Sequence, residues 1–208
     1  WNVAKVENIH GMFSDTLYFN GDLSKWNVAK VTNIAYLFEG SKKFNGDLSK
    51  WDTSEVTEMS AVFWDAKSFN GDLSKWDVSK VSNMGLGFRD TPVFNGDLSK
   101  WDVSRVVRMH TLFHNALQFN GDVSTWDVTK VTDMRSMFHE AVDFNAEYFS
   151  KHSSHAGHFS NIPPTYIGVK CFCFEKLIHN SHVGYIPFGY IACEFWRTCK
   201  CAPHIRHL

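Results

Sequence analysis

Cysteine is absent from residues 1–170; Cys171, Cys173, Cys193, Cys199 and Cys201 all follow. Most of the chain must therefore fold without disulfide staples, and the odd count leaves at least one thiol unpaired or bound to something outside the chain. An excess of either charge is also missing, with 21 basic against 22 acidic side chains among 208 residues. That removes the electrostatic case for nucleic acid or for an anionic membrane surface. No apolar run approaches the roughly 20 residues that a membrane-spanning helix requires. No nucleophile motif is present either: His10, His110, His114 and His139 are scattered, and no nearby Ser or Cys pairs with them in a recognisable catalytic arrangement. The chain opens on Trp1 in mid-repeat with no signal-like segment, so it is expected to be a piece of a longer protein, and a missing export signal does not count against secretion.

What the chain does have is repetition. Trp1, Trp26, Trp51, Trp76, Trp101 and Trp126 recur every 25 residues within Phe-Asn-Gly-Asp-Leu-Ser-Lys-Trp or a close variant. Units of that length cannot bury their own apolar side and must stack on their neighbours. The repeats occupy residues 1–145, and a non-repeat Cys/His-rich tail occupies 146–208.

Within one unit, Leu73, Trp76 and Val78 give the pattern Leu-x-x-Trp-x-Val, the spacing of a leucine-rich repeat with Trp in the middle slot. Trp76 and Val78 flanking Asp77 have the period of two of a strand with one buried side. Val131, Met134, Met137, Phe138 and Ala141 then fall three to four apart, as on a helix, and Ser79 with Ala4, Ala29, Ser54, Ser104 and Thr129 stands at the N-cap position. The Asn-Gly pairs from Asn20-Gly21 to Asn120-Gly121 supply turn chemistry, because glycine accepts φ > 0. The expected fold is an α/β solenoid: a right-handed, leucine-rich-repeat-like array of about six coils. Strands centred on Trp26, Trp51, Trp76, Trp101 and Trp126 form one parallel sheet, and short helices behind it curve the array with the strands inside.

Asn20, Asn45, Asn70, Asn95, Asn120 and Asn145 form a column expected to act as a structural ladder beside the turn; a polar-ligand site using Asn20, Asp22 and their equivalents is the alternative. The column of Asp22, Asp47, Asp72, Asp97 and Asp122 raises calcium, but one carboxylate per coil is thin for an ion wanting six to eight oxygens. No cofactor and no metal site is expected in the repeats. The side chains flanking each Trp point outward as two further columns. One is Lys25, Lys50, Lys75 and Lys100, ending at Thr125; the other is Asn27, Asp52, Asp77, Asp102 and Asp127. They read either as a solvated charged surface or as a flat recognition face whose roughly 4.8 Å repeat suits an extended polymer or protein partner. An ice-binding face would need Thr-x-Thr columns, which are not there.

The motif Val-x-x-Met-x-x-Met-Phe-x-x-Ala-x-x-Phe-Asn-Gly-Asp-Leu-Ser-x-Trp-Asp-Val-Ser-Lys-Val, fullest in Val131–Asn145 and continued by the Gly-Asp-Leu-Ser-Lys-Trp-Asp-Val of earlier coils, resembles the repeat of BspA-like leucine-rich repeat surface proteins. These include the 25-residue module first described as a domain of unknown function in Mycoplasma. The resemblance implies display at a cell surface or outside the cell, attachment or recognition of a protein or glycan, and no catalytic residue. A structural spacer without a ligand of its own is the alternative.

The tail gains nothing from it. Glu147, Glu175 and Glu194 stand there against Lys151, Lys170, Lys176, Arg197, Lys200 and Arg206, with no Asp. Three readings stay open: an unstructured or artificial extension; a cap over the last coil through Phe144, Tyr148 and Phe149; or a metal or disulfide module built on Cys171-x-Cys173 and Cys199-x-Cys201, with His152, His155 and His158 or the later His179, His182, His204 and His207 nearby.

Overall fold

The computed structural model describes residues 2–145, and the readings of the tail lie outside these residues. The backbone is a stack of 25-residue coils made almost wholly of turns. Starting at Leu48, the Trp51 N–H donates to Leu48 O at 3.1 Å and the Val56 N–H to Thr53 O at 2.9 Å. Asp47 Oδ1 accepts from the Ser49 N–H at 2.9 Å, and Asp52 Oδ1 from the Ser54 N–H at 3.1 Å. Asp and Asn bonding a backbone amide two residues on is the local chemistry that favours turns over ladders.

The second half of the coil faces the next one. The N–H groups of Met59, Ala61, Phe63 and Asp65 donate forward to the carbonyls of Asn83, Gly85, Gly87 and Arg89 at 2.9–3.3 Å. The amides between them stay at home: Trp64 bonds Ala61 O at 3.1 Å and Ala66 bonds Phe63 O at 3.0 Å. Amides thus alternate between the next coil and the coil's own turns. Parallel bridges run Asn8–Asn33–Glu58–Asn83–Arg108–Asp133, each an isolated pair.

The alternation needs an unusual backbone. Two residues per coil sit in the left-handed region, as at Ala61 (φ 54°) and Asp65 (φ 61°), and ten of the twelve such positions are not glycine. They stand third in a four-residue turn (Met59–Val62, Phe63–Ala66), where type II turns require φ > 0.

The expected fold class is corrected accordingly. Among the described residues there is no helix and no named strand, so the solenoid of one parallel sheet and short helices does not form. The stripe that predicts a helix is real as burial, since Met59, Val62, Phe63 and Ala66 are all fully buried. Yet successive four-residue turns bring side chains inward at the same three-and-four spacing, and positive φ stops any helix from propagating. The strands centred on the Trp residues fail because Leu-x-x-Trp closes into a turn. Ser79 and its equivalents donate their N–H to the Asp or Asn two residues before rather than capping a helix. The curvature expected from helices behind strands loses its basis.

The core consists of three aromatic columns. Phe38, Phe63 and Phe88 stack at 5.5–5.6 Å, Phe44, Phe69 and Phe94 at 6.0 Å, and Trp51 on Trp76 at 6.3 Å. Within a coil the two Phe rings nearly touch, 3.8 Å between centroids for Phe63 and Phe69. The indole N–H groups of Trp51, Trp76, Trp101 and Trp126 each donate to a leucine carbonyl of the preceding coil, as Trp76 Nε1 does to Leu48 O at 3.1 Å, so the buried polar atom is satisfied. The Asn column bonds likewise, Asn45 Oδ1 accepting from the Asn70 N–H at 2.9 Å. The glycine beside it is there for another reason than the expected one. Gly71 is not at positive φ; a Cβ on it would lie 3.0 Å from the Phe69 ring and 3.5 Å from Gly46 O.

Trp76→Ala removes an indole that is only 3% exposed, together with its hydrogen bond. It is expected to cost about 3–5 kcal/mol in urea unfolding; a parent-like midpoint would mean that the Trp column does not hold the stack. Ser136, at φ 54°, tests the backbone. Ser136→Gly should stabilise by about 1 kcal/mol, and Ser136→Val should destabilise, both read by thermal melts.

Candidate functional site

Two surfaces of the stack present side chains in order. The first lies over the Leu-x-x-Trp turns. Lys25, Lys50, Lys75 and Lys100 occupy the third position of the turn and are exposed. Asn27, Asp52, Asp77, Asp102 and Asp127 follow the Trp and are exposed on its other side. The buried Trp between them fixes both columns without a strand. All the residues expected to line a recognition face are exposed.

The Lys column acts on the carboxylate three residues before it. Asp22, Asp47, Asp72 and Asp97 are held below the ordinary carboxylate range, first by hydrogen bonds from Ser24, Ser49, Ser74 and Ser99, then by the charges of Lys25, Lys50, Lys75 and Lys100. Asp52 is lowered by Ser54, and Asp102 by Ser104 with help from Arg105. In the turns around Trp51, Trp76 and Trp101 the exposed order along the chain is thus carboxylate, ammonium, carboxylate. The Asp22 column does not gather as a calcium shell: one Oδ1 of each accepts a backbone amide two residues on, at 2.9 Å.

The second surface flanks the coil-to-coil ladder, where position 14 and its equivalents vary along the array: Ser14, Glu39, Trp64, Arg89, His114 and His139. They contact one another in pairs. Ser14 Oγ donates to Glu39 Oε2 at 2.8 Å, the Arg89 guanidinium lies 5.3 Å from the centre of the Trp64 ring, and the His114 and His139 rings stack at 4.9 Å. Around the middle pair, Asp90 collects the Trp64 indole N–H at 3.3 Å, the Arg89 Nε–H at 3.1 Å and the Asn115 amide at 2.7 Å. Burial alone would raise the Asp90 pKa, but the bonds from Asn115 and Arg89 and the charge of Lys67 outweigh it.

His110 stands one position before the left-handed residue of its coil. Its ring fills the space over Gly85, where a Cβ would come within 2.3 Å of Cε1. Its Nδ1 is 3.8 Å from Asp133 Oδ2. Asp133 is drawn down to about 2, chiefly by the Arg135 side chain, whose Nε–H and Nη2–H bond the two carboxylate oxygens at 2.9 and 2.8 Å.

Reading the histidines as scattered misses that His114 and His139 are one period apart. That spacing is visible in the sequence and, in a stacked repeat, amounts to contact. Glu140 joins them, with one ligand atom from each residue all within 4.8 Å of one another. No other grouping of three metal-capable side chains is found among the described residues.

A family model described as "Mycoplasma protein of unknown function, DUF285" matches residues 1–92 and 72–162. No curated protein and no solved structure matches the chain.

The lowered carboxylates set a pH dependence. Groups with depressed folded-state pKa stabilise fully above their unfolded value of 3.8 and lose that contribution as pH falls through the folded value. The contribution of these carboxylates to thermal stability should therefore be lost from about pH 4 toward 2. Asp72→Asn, which keeps an Oδ1 acceptor, should preserve the neutral-pH melt, and Asp72→Ala should lower it.

Proposed function

The chain belongs to the DUF285 family of repeat-containing proteins, and from that premise we propose that the array is a non-catalytic recognition or adhesion module, displayed at a cell surface or outside the cell, that binds protein or glycan through the Lys/Asp surface. The lysine column carries this reading. The turns explain the carboxylates, since every one of Asp22, Asp47, Asp52, Asp72, Asp77, Asp97 and Asp102 accepts a backbone amide two residues on. They do not explain the lysines. Thr125 takes the same place in the turn that ends at Trp126, whose N–H still bonds Val123 O at 3.2 Å. Four ammonium groups in register on a fixed backbone give an extended acidic polymer one contact per coil, so weak contacts add along the array. The motif's resemblance to BspA-like surface repeats supports the same setting. Among the described residues no helix is long and apolar enough to cross a membrane.

The structural roles of the carboxylates favour a second reading, a spacer with no ligand of its own. Reversing Lys50, Lys75 and Lys100 to Glu separates the two. Binding to immobilised matrix proteins or acidic glycans should fall at least tenfold while the melt stays near that of the parent, because all three side chains are exposed. Unchanged binding by the reversed protein would leave the spacer.

A further inference from the structure

We propose that His114, His139 and Glu140 bind a divalent transition-metal ion of the zinc class. The two imidazoles come from equivalent positions of adjacent coils, parallel to within 8° with centroids 4.9 Å apart. Their separation is set by the backbone, since the Asn115 N–H donates to His139 O at 2.7 Å and the His139 N–H to Ser136 O at 3.2 Å. Glu140 brings a carboxylate beside both, the three ligand atoms lying within 4.8 Å of one another. Tetrahedral zinc, with bonds of about 2.0–2.2 Å, holds its donors about 3.5 Å apart. Closing that difference needs only rotation of the His139 and Glu140 side chains, which are exposed.

A second observation comes from His114 itself. Its Nδ1 is shielded from water and has no hydrogen-bond partner. A buried polar nitrogen left in that state is costly, and a nearby ligand that engages the ring changes the balance. A metal takes the lone pair of a neutral imidazole. Arg89, the cation that would oppose an incoming ion, is paired with Asp90 at 3.1 Å. Asp90 and Glu140 favour positive charge at His114.

The ligand chemistry selects the ion. Two imidazoles and one carboxylate suit zinc, nickel or copper; calcium and magnesium want all-oxygen shells of higher coordination. Three protein ligands leave the fourth position to water or to a donor from a partner. The site is independent of the Lys/Asp surface and does not rest on that reading of function.

The test uses the whole chain with Zn²⁺ alone, and because the cysteines and histidines beyond residue 145 are side chains of metal-ligating type, their contribution must be separated from this site. Equilibrium dialysis at pH 7.5 should show the parent holding one more equivalent than His139→Asn. Glu140→Gln should weaken that equivalent by about tenfold or more. In nitrogen-detected NMR spectra of the imidazoles, Zn²⁺ should shift His114 and His139 together, and in His139→Asn the His114 shift should disappear. Replacing Cys171, Cys173, Cys199 and Cys201 with Ser should leave the His114 and His139 shifts intact. Equal stoichiometry in the parent and His139→Asn, or shifts confined to histidines beyond residue 145, overturns the proposal. Because Glu140 is an exposed side chain, Glu140→Gln keeps the test decisive even where the Asn variant alters folding.

Discussion

The whole architecture hangs on one division of labour among backbone amides. Along residues 59–66 and their equivalents, one N–H reaches forward to the next coil and the following one closes a turn in its own. A helix spends its amides inside the segment and a sheet spends them on its neighbours; this chain does each in alternation. The alternation requires left-handed residues twice per coil, and ten of them carry side chains at a cost on the order of 1–2 kcal/mol each. A single coil could not hold that strain. It persists because the residues on both sides are fixed, one set by turns and the other by the adjoining coil, so each coil's conformation presupposes its neighbours.

Side-chain packing follows from the same repeat. Once coils are in register, identical rings fall on top of one another, and three columns of aromatics fill the interior without a helix or a sheet to frame them. The Trp column ties packing to hydrogen bonding. Leu48 O accepts both the Trp51 amide of its own turn and the Trp76 indole of the next coil, each at 3.1 Å. A shift of register would break the indole bond and the ring stacking together. The same anchoring orients the exposed neighbours of Trp, so the Lys and Asp columns are regular because the buried residue between them is.

Much of this was legible in the sequence, and the part that was not has a definite cause. The 25-residue period, the buried Trp and Phe and the Asn column follow from spacing and residue type. The backbone between them does not, because inward-facing residues at 59, 62, 63 and 66 satisfy a helix and a string of four-residue turns equally well. Composition offered a warning: Asp, Asn or Glu stands two residues before nearly every amide that needs a local acceptor, as Asn33 does before Ala35 and Glu58 before Ser60. That is turn chemistry, repeated three times per coil. Leucine-rich spacing drew attention away from it, since Leu-x-x-Trp-x-Val reads as a strand only when the Asp on either side is ignored. The histidine cluster went unseen because His114 and His139 were weighed as isolated residues instead of being folded onto the period already established.

The two surfaces differ in what a repeat can encode. A column such as Lys25, Lys50, Lys75 and Lys100 presents the same group at every coil, so a partner displaced by one coil meets an identical surface. Such a face gathers many weak contacts along a polymer but cannot fix where the partner begins. The column from Ser14 to His139 has the opposite property. Its six members are held on the same backbone by the same ladder, yet five different chemistries appear, paired as hydroxyl with carboxylate, indole with guanidinium and imidazole with imidazole. None of those pairs is demanded by the coil, which accepts all of them. A position that the fold leaves free and that changes along the array is the one place where a periodic scaffold can carry an address, and the histidine pair is the point on it where that address takes the form of a metal-binding donor set.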